Sequence, residues 1–396
     1  MVLKPTGGEP NNLAVSLQGL LFNKGDHARL VDVLAECERT TDEVFIDADD
    51  QLALSRRAMT TSGDKISWLA MRQICKILSS GLASSLSDLL GMRRVPADMD
   101  RPSKIKADPD EDFTVGEAAS LYNLALKKRF GRLYGFQAIR NSDTKVIEAV
   151  VGSRYRRLPN GDFLSAVSSV IDSCEVVLKF HSASVAGRRL SLVYAAEGFE
   201  DSPLTPGIRL VNSEIGDSAI KAAVVLMDSN GATMMSAYGK LGRVAHSGRD
   251  LLGKLSQLIV SVSSKLAHAS LSKDGLAKKI NNMSDRKLGF KGDESDDARF
   301  QEMIEFLADR VGLTYFMARR CLSMTLAGNE NQAQQFAMLE RAKVWPSKSM
   351  MHLISAIMIE SLNQRVISFG VTDRAERVAW NLFSNKVSFP DIGSGE

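Results

Sequence analysis

Cysteine is scarce in this 396-residue chain. Its four cysteines, Cys37, Cys75, Cys174 and Cys321, stand far apart, and no two form a C-x-x-C pair. That excludes zinc-finger spacing and a dense disulfide framework, and it fits thiols kept reduced in a cytoplasm. Histidine is scarce too. His27, His181, His246, His268 and His352 occur singly, with no H-x-x-x-H pair, so no metal site is predicted. Long apolar runs are missing, since no window approaches the ~20 residues of a membrane-spanning helix. The longest candidate, residues 251–266, is interrupted by Lys254, Gln257 and Lys265. The first twelve residues lack the charged-then-apolar order of a signal peptide. A cytoplasmic protein without membrane contact is the expectation.

Catalytic signatures are equally thin. There is no G-x-S-x-G elbow and no phosphate-binding G-x-x-x-x-G-K-[S/T] loop, and Gly239-Lys240-Leu241-Gly242 does not substitute for one. The acidic run Asp47, Asp49, Asp50 lacks the central glycine of a calcium loop and has Ala58 where the closing glutamate belongs. Glu214 and Asp217 fit a turn better than an acid–base pair. The expectation is a non-enzymatic protein with no cofactor and no metal.

What the chain does have is ordinary globular composition, 44% hydrophobic and 24% charged, enough for a sizeable core. Net charge is only +3, but residues 1–120 carry −5, residues 121–260 carry +6 and residues 261–396 carry +2. A basic middle behind an acidic first third points to a polyanionic partner. Four regions follow from the pattern: a helical N-terminal region (1–95), a Pro- and Asp-rich linker (96–112), an α+β core with a basic sheet and a long helix (113–270), and a helical C-terminal region (271–396).

In the first region, helical spacing covers Leu13 to Cys37 and then Ile66 to Leu78, the latter capped by Asp64. Phe113 to Phe130 reads as a helix. Strands are predicted at 134–139 and 146–151, as a hairpin at 176–181 and 190–195, and at 208–212 and 220–227. Asn160 is read as the cap of a helix from about 162 to 172. Leu251, Leu252, Leu255, Leu258, Ile259 and Val262 share one face of a long helix. Ser284 to Asp297 reads as an exposed loop, and four or five helices follow from Ala298 to Asn385. The fold class is therefore α+β, a mainly antiparallel sheet with packed helices, flanked by N- and C-terminal helical regions.

The basic residues of the middle region are candidate phosphate contacts: Arg154, Arg156, Arg157, Arg188, Arg189, Lys240, Arg243 and Arg249. Lys240, Arg243, His246 and Arg249 crowd the start of the long helix, where free backbone N–H groups favour anions. Tyr134, Phe136 and Tyr155 lie among these cations and are candidates for stacking on bases, the usual device for single strands. Alternation sets Arg154 and Arg156 on one face, with Tyr155 and Arg157 on the other. Single-stranded DNA is the favoured partner. The competing class is a protein-interaction factor working on a host or phage protein through its helices, the Met350, Met351 and Met358 region included.

The order of three phrases resembles a bacteriophage/plasmid-associated family of unknown function. The first phrase contributes Tyr155, Pro159, Asn160 and Phe163. The second contributes Pro206, Gly207, Asn212, Ser213, Gly216, Ser218 and Ala219, and the third His246. Met350 to Glu360, followed by Arg374, Glu376, Arg377 and Trp380, is similar to the family's C-terminal helices. The resemblance covers about residues 130–385. The chain departs from it at Asp228-Ser229-Asn230-Gly231, where family members show a cysteine–asparagine pair. It implies a phage or mobile-element setting in a bacterial cytoplasm and no established reaction. The fold class alone, by analogy, also suits a ring-forming annealing protein and hence a homo-oligomer.

Overall fold

The computed structural model describes residues 20–45, 52–53, 59–60, 65–67, 69–70, 73–74, 77, 135–199, 202–216, 218–228, 234–237, 242–247, 250–268, 272–290, 296–310, 313–327, 348–364 and 369–384. The predicted linker 96–112 and the helix predicted from Phe113 lie outside these residues.

Two sheets organise the chain. The larger joins β1 (Leu20–Asn23), β8 (Leu178–Ala186), β9 (Arg189–Ala196), β10 (Leu204–Ser213), β11 (Ile220–Asp228) and β12 (Met234–Ala237) in that order, with β13 (Arg243–Val244) also on β11. The smaller runs β2 (Thr41–Phe45), β6 (Gln137–Asn141), β7 (Val146–Val151), β5 (Lys65–Ile66), β4 (Met59–Thr60) and β3 (Leu52–Ala53). Among the described strands only the β5–β7 pairing is parallel. The expected α+β class and mainly antiparallel sheet are present. The first third supplies strands as well as a helix: β2 pairs with β6 and β5 with β7, so part of it belongs to the same sheet as the middle of the chain.

A tight turn joins two strands in each sheet. Gly187, with φ +55, stands between β8 and β9. Asn141 closes the β6–β7 turn, its side-chain oxygen accepting from the amides of Asp143 and Thr144. The central strands β9, β10 and β11 are buried along nearly their whole length, which explains why they read as continuous apolar runs rather than clean alternation.

Helices α1 (His27–Arg39), α2 (Asn160–Ile171) and α3 (Leu251–His268) bury Leu30, Leu34, Phe163, Leu164, Val167, Leu255, Leu258 and Ile259 in the main core beside Ile208, Leu210, Ala222 and Val224 of the sheet. Each such side chain contributes about 1.5–3 kcal/mol of transfer free energy. The same core takes in α4 (Lys273–Asp285), α5 (Asp296–Glu305, prolonged by a π-helical turn to Arg310), α6 (Tyr315–Ala327), α7 (Met350–Gln364) and α8 (Phe369–Phe383).

Four local readings are corrected. Leu252, expected on the same apolar face as Leu251 and Leu255, is 50% exposed. The helix expected from Leu13 is, in its described part, a strand followed by a helix from His27. Ile66, expected to open a helix, belongs to β5; the described residues between 69 and 77 are helical, Ser67 Oγ accepts the amide of Ala70 at 3.1 Å, and Asp64 lies outside the described residues. The segment expected to be an exposed loop after Ser284 buries Leu288 and Phe290. Arg299 donates from both Nε and Nη2 to the Leu288 carbonyl at 3.0 Å.

Candidate nucleic-acid interface

The first of the three phrases forms the connection from β7 of the smaller sheet to α2 under the larger one. It opens with a turn in which Tyr155 N donates to Gly152 O at 2.8 Å. Tyr155 then bridges antiparallel to Ser247, and Arg156 N donates to His246 O at 2.8 Å. The Tyr155 and His246 rings stack with centroids 5.0 Å apart. His246 Nδ1 lies 3.2 Å from the Arg156 carbonyl. A carbonyl only accepts, so Nδ1 carries the proton. The Tyr155 hydroxyl donates to Ser213 O at 2.9 Å and accepts from Gly216 N at 3.1 Å. Gly216 has φ +67, and a Cβ there would meet Val151 Cγ1 at 2.8 Å and the Tyr155 ring at 3.3 Å. The three phrases, far apart in sequence, therefore interlock.

This interlocking decides where the cations point. Arg154 and Arg156 are exposed, as is Arg243 on β13. The register of β13 on β11 pairs Arg243 with half-buried Lys221, a basic residue that sequence reasoning missed because strand pairing alone brings it there. Arg157 turns the other way and is 6% exposed. Its Nη1 donates to Glu38 Oε1 at 3.0 Å and to Glu43 Oε1 at 3.2 Å, and its Nη2 to Glu38 Oε2 and to Glu214 Oε2, the latter at 3.1 Å. Burial works against that charge, but the bonds to Glu38 and Glu214 outweigh it and the guanidinium pKa is raised. Arg188 is buried as well, donating to Glu148 at 2.6 Å and to the Cys37 carbonyl at 2.5 Å. Both leave the set of phosphate contacts, because their charges are committed to internal acceptors. Arg189 is half-buried at the start of β9. Lys240, Arg249 and Tyr134 lie outside the described residues.

Two further expectations change. Tyr155 is not a free stacking platform: His246 lies against its ring, and the Gly216 turn and Val151 close around it. Phe136 is half-buried beside Gly152. The anion position at the start of α3 is taken by the chain itself, since Asp250 Oδ1 accepts Gly253 N at 3.0 Å.

Beneath the basic loop lies a buried polar seam. Glu214, 2% exposed, accepts Asn160 N at 2.6 Å as well as Arg157. The carboxylate thus serves the first amide of α2, where Asn160 was expected to act as the cap; Pro159 holds the N-cap position. Asn212 Nδ2 donates to Leu158 O and to Asn160 Oδ1, each at 2.9 Å, and Asn160 Nδ2 donates to Arg188 O at 3.3 Å. Burial raises the Glu214 pKa, and Arg157, Asn160 N and Arg188 offset it only in part.

Acidic residues in the described part of the first third meet basic residues of the middle region around this seam. Glu38 and Glu43 meet Arg157, and Asp42 meets Arg140 at 3.0 Å. Part of the charge asymmetry seen in the sequence is therefore satisfied inside the molecule. Among the described residues no cluster of His, Cys, Asp or Glu has the makings of a metal site, and no helix is long and apolar enough to cross a membrane. Burial pushes the Cys37 and Cys321 thiols up, away from nucleophilic use. Compared with protein families, curated proteins and solved structures, the chain matches none.

Proposed function

We propose that this protein binds nucleic acid without catalysing a reaction, and that its target is single-stranded DNA in the replication or recombination of a phage or mobile element. One observation carries the reading: Arg154, Arg156 and Arg243 are exposed around a loop that is locked from beneath by Tyr155 and His246. Arg154 lies in the turn that follows Gly152 and Arg156 stands two residues on, so the two charges share one short stretch of chain. A rigid loop holds such groups in place at little further entropic cost on binding. With the Tyr155 ring occupied, recognition rests on phosphate.

The test is fluorescence anisotropy of the purified chain against labelled single- and double-stranded DNA. Three phosphate contacts predict a log–log salt slope of about −2 on single strands, at about −0.7 per contact. The Arg154→Ala/Arg156→Ala/Arg243→Ala variant should lose most of the binding and flatten that slope. Absence of salt-sensitive binding at about 50 mM salt would sink the proposal, and equal affinity for duplex would remove the strand preference.

A further inference from the structure

Arg157 is the one cation of the basic loop that carries three carboxylates, and they are not equivalent. Glu214 is buried and fixed by Asn160 N, so it belongs to the fold. The Glu38 and Glu43 side chains are 45% and 40% exposed and come from the end of α1 and from β2. Glu38 approaches both terminal nitrogens of the guanidinium, one oxygen to each. That is the two-pronged geometry in which arginine holds phosphate. The remaining donor, Arg157 Nε, is buried with no hydrogen-bond partner among the described residues. Electrostatics gives Glu43 no reason to join a guanidinium already neutralised by Glu214 and Glu38, other than its place on the paired β2 edge.

We infer that the outward edge of Arg157 is a fourth phosphate position, adjoining Arg156, which Glu38 and Glu43 occupy and thereby keep closed. The carboxylates stand where a backbone phosphate of the nucleic acid would sit. The inference rests on the proposed nucleic-acid reading, and it makes the α1–β2 edge the element that sets how many phosphates the loop holds.

Binding of a labelled oligothymidylate as a function of salt tests it, with wild type, Glu38→Ala/Glu43→Ala, and Glu38→Ala/Glu43→Ala/Arg157→Lys. The lysine variant keeps a charge for Glu214 and removes the fork. Circular dichroism confirms that each variant is folded. Opening the position should raise affinity about tenfold at low salt and steepen the slope by about 0.7, one further phosphate on a single strand. The lysine variant should return the slope to the wild-type value. An unchanged slope in the double variant overturns the inference, and so does a steeper slope that survives Arg157→Lys, which would be a general charge effect. Wild type failing to bind while the double variant binds through Arg157 would support the inference and remove the three-arginine reading. Failure of every variant to bind removes both.

Discussion

At Gly207 the absence of a side chain is a packing requirement. A Cβ there would fall inside the contact distance of the Tyr194 backbone carbonyl on the neighbouring strand and lie 3.2 Å from Met227 Cε. Backbone in the middle of a sheet has nowhere to move, so Gly207→Ala should destabilise by about 1–3 kcal/mol, read by denaturant unfolding. His352 offers a titration. Its Nδ1 accepts from Ser349 Oγ at 2.7 Å and from Ser349 N at 3.3 Å, closing the start of α7. Desolvation, then Lys348 and Lys287, hold its pKa below the ordinary 6.5. Protonation removes the acceptor. The stability this contact supplies is present above pH 6.5 and is lost as pH falls through the lowered value. His352→Gln should flatten thermal stability against pH across that acidic window, and an unchanged profile would show that the ring does not titrate with folding. Residue roles of this kind were the least legible in the sequence. Tyr155 looked like a stacking residue because its neighbours in the chain are basic, but its partners Ser213 and Gly216 lie 58 and 61 positions away. Arg157 and Arg156 are adjacent and identical in type, and only the distant Glu38, Glu43 and Glu214 distinguish them.

Elements pair through contacts that local pattern reads well or not at all. The β8–β9 hairpin, β10, β11, α2 and α3 were visible because each couples a clear period to a turn signal. β1 was not, because its partner β8 lies in a distant part of the chain. Nor was β2, which no strand period marks in the sequence although it pairs along its length with β6. The docking of α8 on the larger sheet shows what such a contact costs. Arg209 of β10 and Glu376 of α8 are both fully buried and form an ion pair, supported by Ser191 Oγ on Arg209 Nε at 2.9 Å and by Ser236 Oγ on Glu376 at 3.1 Å. Arg209→Met leaves the carboxylate without its cation and should cost about 3–5 kcal/mol. Arg209→Met/Glu376→Leu should recover most of that loss, because two apolar side chains need no counter-charge. A double variant no more stable than the single one would mean that the pair also fixes how α8 is seated.

On the scale of the whole molecule, the candidate site lies along the seam between the two sheets. The loop leaving β7 and the turn leaving β10 are joined by Tyr155, Asn160, Asn212 and Glu214, and Ile215 and Tyr155 complete the small core around Ile139, Ala149 and Val151. On the proposed reading, binding and sheet-to-sheet attachment share the same bonds, whereas the Arg209–Glu376 pair attaches α8 to the larger sheet. Asn212→Ala deprives the Leu158 carbonyl and Asn160 Oδ1 of their donor, at about 1–3 kcal/mol for each group left unsatisfied. It also loosens the segment that holds Arg154 and Arg156. At a temperature where both variants remain folded, Asn212→Ala should weaken DNA binding about tenfold, while Arg209→Met/Glu376→Leu should bind as wild type does. Equal losses in the two variants would mean that affinity follows global stability, and the seam would then have no special part in presenting the arginines. A selective loss in Asn212→Ala would make the junction of the sheets the support on which recognition depends.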